Sequence, residues 1–512
     1  MPSTLDSYDD LPYESLPLPD THPDYLRALA RLYGVDAAPM ASCRVLELGC
    51  AGGGNLLPLA WYFPGSQCTG VELARGHVDE ANALITELGL NNAQVLHRSI
   101  TEPLEDHGDD LGEFDYIIAH GVFSWVPRAV QDRLLDICGK HLAPNGIAYI
   151  SYNTLPGWHV RGLLRDALLS YCAPGGRASE RLAQAHALFD LIEPALRANQ
   201  SLDAQLALKE IEYLRRAAPS YVYHEYLEEI NEPLHFSSFM QRAAHAGLAY
   251  LADAEPWTMF PDTLGADAAA PFAAIADRLQ QEQMLDLARL RKFRRSLLVR
   301  NDTQVRSTPD LSALDTLSYY ADLSSDAEID LGSATPQDFS SPAGNRYSVS
   351  QPLTKAALML LAMHYPQALT WDALQQRAGE LVIEHGGSLD AAASDAYRTE
   401  LFSLIAYQAV RPTLETGASI DALAAQPCAH PLARAQAARG RIVASARHTA
   451  VELDALGATL LLHLDGTRSL QQLVALMSEA LQAHGQNTDP ALLESACVQM
   501  LWTFARQGLL LG

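Results

Sequence analysis

No run of about twenty apolar residues occurs in this 512-residue chain, so no stretch of it is long enough to cross a bilayer as a helix. No Cys-x-x-Cys pair occurs either. The seven cysteines, Cys43, Cys50, Cys68, Cys138, Cys172, Cys428 and Cys497, stand singly, which offers neither a disulfide framework nor a zinc site and suits a reducing cytoplasm. The opening MPSTLDSYDDLPYESLPLP lacks a basic region followed by an apolar one, so it does not read as a secretory signal. Positive charge is scarce: 36 Lys and Arg stand against 61 Asp and Glu, a net charge of −25. Such a surface repels phosphate backbones, which argues against nucleic acid and leaves small molecules, peptides or proteins as partners.

What is present begins with RVLELGCAGGGNLLPLAWYFPGSQCTGVE at 44–72. Val45, Leu46 and Leu48 fit a strand covered on both faces. Gly49, Gly52, Gly53 and Gly54 let the backbone turn tightly against a ligand. A helix follows at 55–63, and a second strand ends on Glu72. A dinucleotide site would want G-x-G-x-x-G, but Ala51 stands where the second glycine belongs. Glu47, inside the first strand, would repel a pyrophosphate and attract an ammonium group. The E-x-G-x-x-G pattern with a later acid resembles the fingerprint of class I S-adenosylmethionine (AdoMet) methyltransferases.

Further along, strands at 93–97, 115–119 and 147–152 alternate with helices at 77–88 and 129–141, the last pair separated by a Pro-Asn-Gly turn at 144–146. Five strands in this alternation specify a parallel sheet with its ligand at the strands' carboxyl ends. Strands at 248–252 and 293–300, with a helix at 272–290 between them, extend the count to seven. The resulting fold class is α/β: a Rossmann-like seven-stranded core, a helical insertion and a mainly helical, winged-helix-like C-terminal domain. The expected organisation is an arm at 1–40, a core at 41–159 and 248–300, an acceptor-side insertion at 160–247, a connector at 301–349 and a C-terminal domain at 350–512. Helices at 353–363, 371–377 and 394–408 followed by 410–414 suggest the winged helix. Its third helix offers only Arg398 against Asp395 and Glu400, a poor DNA reader. Residues 451–477 carry a short resemblance to a PqqD-like peptide-binding module.

The segments FDYIIAHGVFSWVP (114–127), ISYNTLPGWHVR (150–161), YHEYLEEINEPLHF (223–236) and RKFRRSLLVR (291–300), with the leader PYESLPLPDTHPDYLRALARLYGV (12–35), together resemble AdoMet methyltransferases that carry a methyltransferase regulatory domain, among them bacterial outer-membrane-protein lysine methyltransferases. The resemblance implies AdoMet as cofactor. It implies a cofactor site drawn from Tyr13, Glu47, Gly49, Cys50, Ala51, Gly52, Asn55, Glu72, Leu73, Ser99, Ile100, His120, Gly121 and Trp125. Glu47 and the glycine turn would hold the methionine part, Glu72 the ribose, and Ser99 and Ile100 the adenine. Ser99 departs from the aspartate many such enzymes carry.

A lysine nucleophile must first lose a proton, so its pocket should be aromatic-walled and poor in carboxylates near the nitrogen. Tyr152, Asn153, Trp158, Tyr223 and Glu225 are the candidate catalytic residues, with Tyr221 lining the pocket and His224 as an alternative proton relay. The expected partner is a lysine-bearing protein or peptide; a homodimer is left open. Two alternatives stand beside this reading: a small-molecule acceptor, and a non-catalytic scaffold that captures a peptide. Every donor-site motif precedes Arg300, so a chain ending there is expected to keep its cofactor binding.

Overall fold

The structure, a computed structural model, describes residues 11, 14–106, 109–417, 420, 422–483, 485 and 489–511. Seven strands build the central sheet: β1 (Arg44–Leu48), β2 (Gln67–Glu72), β3 (Ala93–His97), β4 (Phe114–Ala119), β5 (Leu142–Asn153), β6 (Leu248–Asp253) and β7 (Phe293–Arg300). Their order is β3-β2-β1-β4-β5-β7-β6, with β7 antiparallel to both neighbours and the first five parallel. This is the arrangement of class I methyltransferases. Val45, Leu46, Ile117, Ile118 and Ile150 are all fully buried, as strands covered on both faces require. The reversal between β1 and β4 opens the crevice in which such sheets bind ligands.

Helices α1 (Pro23–Leu32), α2 (Leu56–Tyr62), α3 (Arg75–Leu88) and α4 (Arg128–His141) belong to this core. After β5 come α5 (Trp158–Tyr171), α6 (Ala178–Ala198), α7 (Leu202–Leu214) and α8 (Pro219–Tyr226), which share an apolar cluster of their own around Leu168, Phe189, Ile211 and Tyr226. The chain then returns to the sheet through α9 (Phe236–His245) and α10 (Arg278–Arg289). Arg294 on β7 is fully buried and locks α10 in place, donating to Asp286 at 2.8 Å and Glu282 at 2.9 Å. Removing one partner of such a buried cluster leaves charge stranded, which is why it fixes the position of α10.

Several local expectations are revised. The Pro-Asn-Gly at 144–146 does not separate helix from strand: β5 is continuous from Leu142, because Leu142 already pairs with Phe114 and an irregularity absorbs the turn. The helix expected at 272–290 starts at Arg278, where the Asp277 carboxylate accepts from Gln280 N at 2.9 Å. The stretch read as a connector supplies β8 (Ser318–Tyr320), the middle of a three-stranded sheet with β9 (Leu369–Thr370) and β10 (Arg411–Thr413). Against it pack α11 (Pro352–His364), α12 (Trp371–Glu384) and α13 (Ala391–Ala406), whose apolar faces are continuous with the core of the central sheet.

The last segment contains α14 (Pro431–Ala437), the hairpin β11 (Ile442–Ala444) and β12 (Ala450–Glu452), then α15 (Ala455–Leu462), α16 (Leu470–Ala483) and α17 (Pro490–Arg506). It has a separate core built on Leu460, Leu473, Cys497 and Leu509.

Candidate active site

The glycine turn after β1 is shaped by the end of β2. Gly49 adopts φ +74°, and its N–H and that of Cys50 both donate to Val71 O, at 2.8 and 3.3 Å. Glu72 ties the turn to the end of β2: its Oε2 accepts from Ala51 N at 2.9 Å, while its Oε1 accepts from Leu73 N and Ala74 N just after the strand, both at 2.8 Å. Three backbone donors occupy three of a carboxylate's roughly four acceptor sites. Glu72 is part-exposed at the mouth of the crevice, so one further hydroxyl can bind it directly. A second must displace a backbone bond.

Glu47 is buried deeper, level with Gly70, two residues back from Glu72. Its Oε1 accepts from Asn55 Nδ2 at 2.9 Å, whereas Oε2 has no hydrogen-bond partner among the described residues. Burial, with the nearby Glu72 adding to it and the Asn55 bond opposing it, pushes the carboxyl pKa up to about 8. A buried carboxyl with one oxygen unsatisfied beside a glycine turn fits an incoming ammonium. The Cys50 side chain faces the other way, packing against Gly70, where an added Cβ would lie 2.5 Å from its sulfur. The Cys50 backbone is bonded within the turn as well, its N–H to Val71 O and its O accepting from Gly53 N at 2.9 Å. Asn55 Oδ1 is taken by protein donors, so its role is to hold Glu47. Ser99 closes its own turn on Thr101 at 2.8 Å, and Ile100 is partly buried beside it.

The N-terminal arm crosses this end of the sheet. Leu11 O accepts from His224 Nε2 on α8 at 2.7 Å, and Ser15 Oγ accepts from Gly54 N at 2.7 Å. A Cβ on Gly54 would meet Ser15 O at 2.0 Å, so glycine is required for the arm to lie this close. Tyr13 lies outside the described residues.

After β4 the chain turns back over the glycine loop: Val122 Cγ2 lies 2.5 Å from where a Gly49 Cβ would stand. Gly121, at φ +68°, donates its N–H to Ser151 Oγ at 2.8 Å, and His120 Nδ1 is 3.0 Å from the Tyr149 hydroxyl. Burial and the charge of Arg295 lower the His120 pKa to about 4, so its ring is neutral at physiological pH and is a weak base.

Strand alternation separates the candidates on β5. Tyr149 and Ser151 face His120 and Gly121; Tyr152 points to the opposite face, stacked on Phe239 at 4.1 Å and bonded to Ser296 Oγ at 3.2 Å. Tyr152 is thus a core residue, contrary to the expectation that it is catalytic, because the pleat turns it away from the site. Asn153 follows at the strand end, buried with its side-chain nitrogen unpartnered. Trp158, at the start of α5, meets Trp125 edge-on at 6.3 Å, which joins the loop after β4 to the helical insertion. Arg161 lies 5.5 Å over the Trp158 ring and Arg165 6.0 Å from the Trp125 ring. Glu225 on α8 is held up at about pKa 7 by burial, with Arg161, His224 and Arg165 pulling it down. Tyr223 does not join this group; it is packed inside the insertion under Arg181, 5.6 Å away.

This geometry agrees with the proteins the chain resembles. Residues 46–148 match the model of a methyltransferase domain, 218–300 a predicted methyltransferase regulatory domain, and 425–509 the C-terminal winged helix domain of PKMT. An uncharacterized protein of Rickettsia prowazekii is 35% identical over 377 residues, covering 72% of this chain and 68% of that one. The solved structure of PKMT2 from Rickettsia typhi superposes with a TM-score of 0.86 at 26% identity, over 98% of this chain and 100% of that one. The chain belongs to the PKMT family of methyltransferases. The same Rickettsia typhi protein in complex with AdoHcy matches at a TM-score of 0.84 and 27% identity. In this PKMT-family chain the winged-helix match falls on α14 to α17 and the β11–β12 hairpin, later than the 353–414 set that the sequence suggested. Sequence reading also passed over Tyr149 and Ser151, although the period-two alternation leading to Asn153 marks them. It had no signal for the partners of Asn55.

Proposed function

We propose that this chain transfers the methyl group of AdoMet to lysine side-chain nitrogens of a protein or peptide. The observation that carries the reading is the end-to-end match to PKMT2 in complex with AdoHcy. When bound, AdoMet supplies an electrophilic methyl group on a positively charged sulfur. Glu47 Oε2 holds the ammonium of its amino-acid end, and Glu72 the ribose hydroxyls. Ser99 and Ile100 flank the adenine. Gly49 and Gly121 bring backbone close to the centre of the site, while Val122 and the arm exclude water. The protein's part in such a transfer is alignment and desolvation.

On the acceptor side, Trp125 and Trp158 form a wall and Arg161 stands behind it. Arg161 is paired with Glu210 at 3.4 Å, so exclusion of water by the two rings is what disfavours the protonated amine. Glu225, with a pKa near neutrality, is the group suited to take the lysine proton. A protein acceptor fits a net charge of −25 better than nucleic acid does. A cytoplasmic location is part of this reading, supported by cysteines that are all unpaired.

Transfer of labelled methyl from AdoMet into cell lysate, followed by hydrolysis, tests the reading: label is expected in methylated lysine. Label confined to small molecules would replace the acceptor class. Glu72→Ala removes the ribose acceptor, the bond to Ala51 N that shapes the glycine turn, and the bonds to Leu73 N and Ala74 N that shape the end of β2. At about 1.5–3 kcal/mol per charged bond, AdoHcy affinity should fall at least tenfold by titration calorimetry. A loss below threefold would remove Glu72 from the site.

A further inference from the structure

The hairpin of the C-terminal segment ends inside the core domain. Between β11 and β12 the turn 445–449 carries His448, which is buried at 2% exposure although it lies at a hairpin tip. Its Nε2 lies 2.7 Å from Asn55 Oδ1. That oxygen also accepts from Leu18 N at 2.9 Å; the Thr21 hydroxyl, 3.1 Å away, is shared with Leu18 O. An N–H of the backbone can only donate, so the atom it meets is the Asn55 oxygen, and the Asn55 nitrogen is turned towards Glu47. His448 Nε2 must then donate too, which places the ring proton on Nε2. Burial keeps the imidazole neutral, with a pKa of about 3, consistent with a single donor rather than a cation.

We propose that His448 is a positioning residue of the cofactor site: through Asn55 it orients Glu47, so that docking of the C-terminal hairpin and retention of the amino-acid end of AdoMet are coupled. This rests on the reading of Glu47 as the ammonium ligand.

Two independent observations support it. The docking is specific at neighbouring positions: the Tyr62 hydroxyl on α2 donates to Ala444 O at 3.3 Å, and the His22 ring stands edge-on to His448 at 5.2 Å. The same short arm that supplies Leu18 is gripped from the C-terminal half again, with Arg411 bonded to Asp20 at 2.9 Å and Leu414 N to Asp24 at 3.1 Å. A chain ending at Arg300 loses all of these contacts. On this proposal such a chain binds the cofactor more weakly than the full chain, contrary to the expectation from motif positions alone.

The test uses the full chain and two ligands, AdoHcy and 5′-methylthioadenosine, which lacks the amino-acid end. His448→Leu keeps an apolar filling but removes the donor. It should weaken AdoHcy about tenfold, which is about 1.4 kcal/mol, while 5′-methylthioadenosine affinity stays within twofold. His448→Gln, whose amide can still donate, should return AdoHcy to within threefold of the parent. If the leucine variant does not fold, His448→Asn, polar but too short to reach, takes its place with the same expected pattern. Equal losses for both ligands would reduce His448 to a packing residue, and unchanged AdoHcy affinity would remove it from the site altogether. A parent protein that binds neither ligand would overturn the cofactor reading itself.

Discussion

Glu47→Gln should lower AdoHcy affinity about a hundredfold at pH 8 and remove most of its pH dependence. The isostere still accepts from Asn55, so the fold is preserved, but the ammonium loses its buried counter-charge at a cost of about 1.5–3 kcal/mol or more. In the free parent protein the Glu47 pKa is raised to about 8, principally by burial. The carboxyl is therefore mostly protonated at pH 7, whereas the liganded form needs it ionised. Binding must release a proton, and affinity should rise about tenfold between pH 6 and 7 before flattening near 8, where the ligand's own amine begins to deprotonate. Calorimetry at pH 7 in two buffers of different ionisation heat should show close to one proton released per site in the parent and almost none in the variant.

The free protein's stability should move oppositely. A carboxyl whose folded pKa is raised favours the folded state below its unfolded value near 4.5, and that contribution is lost as pH rises through about 8. At pH 8 the glutamine variant should thus have a higher Tm than the parent while binding worse. Unchanged affinity and unchanged proton release would falsify the ammonium assignment.

Trp158→Ala is expected to strike turnover instead of cofactor binding. Trp158 is 3% exposed, edge-on to Trp125 and beneath Arg161. Its removal opens the acceptor side to water. The acceptor lysine then regains its ordinary pKa near 10.4, and deprotonation costs about 4 kcal/mol or slightly more at pH 7. Turnover at saturating AdoMet should fall tenfold or more at pH 7, with partial recovery at pH 9, and AdoHcy affinity should change less than threefold. Because a buried tryptophan is removed, Trp158→Phe serves as the folded control and should lose less than half as much on a logarithmic scale. Equal losses at both pH values would keep Trp158 in the pocket but discard desolvation as its role.

By itself the sequence determined the parts whose physics is local. An apolar strand, a glycine turn, a helix and a second strand ending in Glu72 follow one another within 29 residues, and period and turn chemistry were enough to read them. The seven-stranded sheet was legible for the same reason. The placing of Glu47 inside β1 and of Glu72 at the end of β2, both beside the glycine turn, was legible for that reason too. Tertiary structure alone decided which candidates face the site. Tyr152 and Ser151 are neighbours in sequence, yet the pleat sends one into the core against Phe239 and the other to Gly121. Tyr223 and Glu225 are two residues apart on one helix, and only Glu225 joins Arg161. The link from Asn55 to His448 spans 393 positions and no periodicity encodes it. It exists because two separately packed cores dock so that a hairpin tip reaches Asn55 at the start of α2, and docking of that kind depends on the shape of whole surfaces.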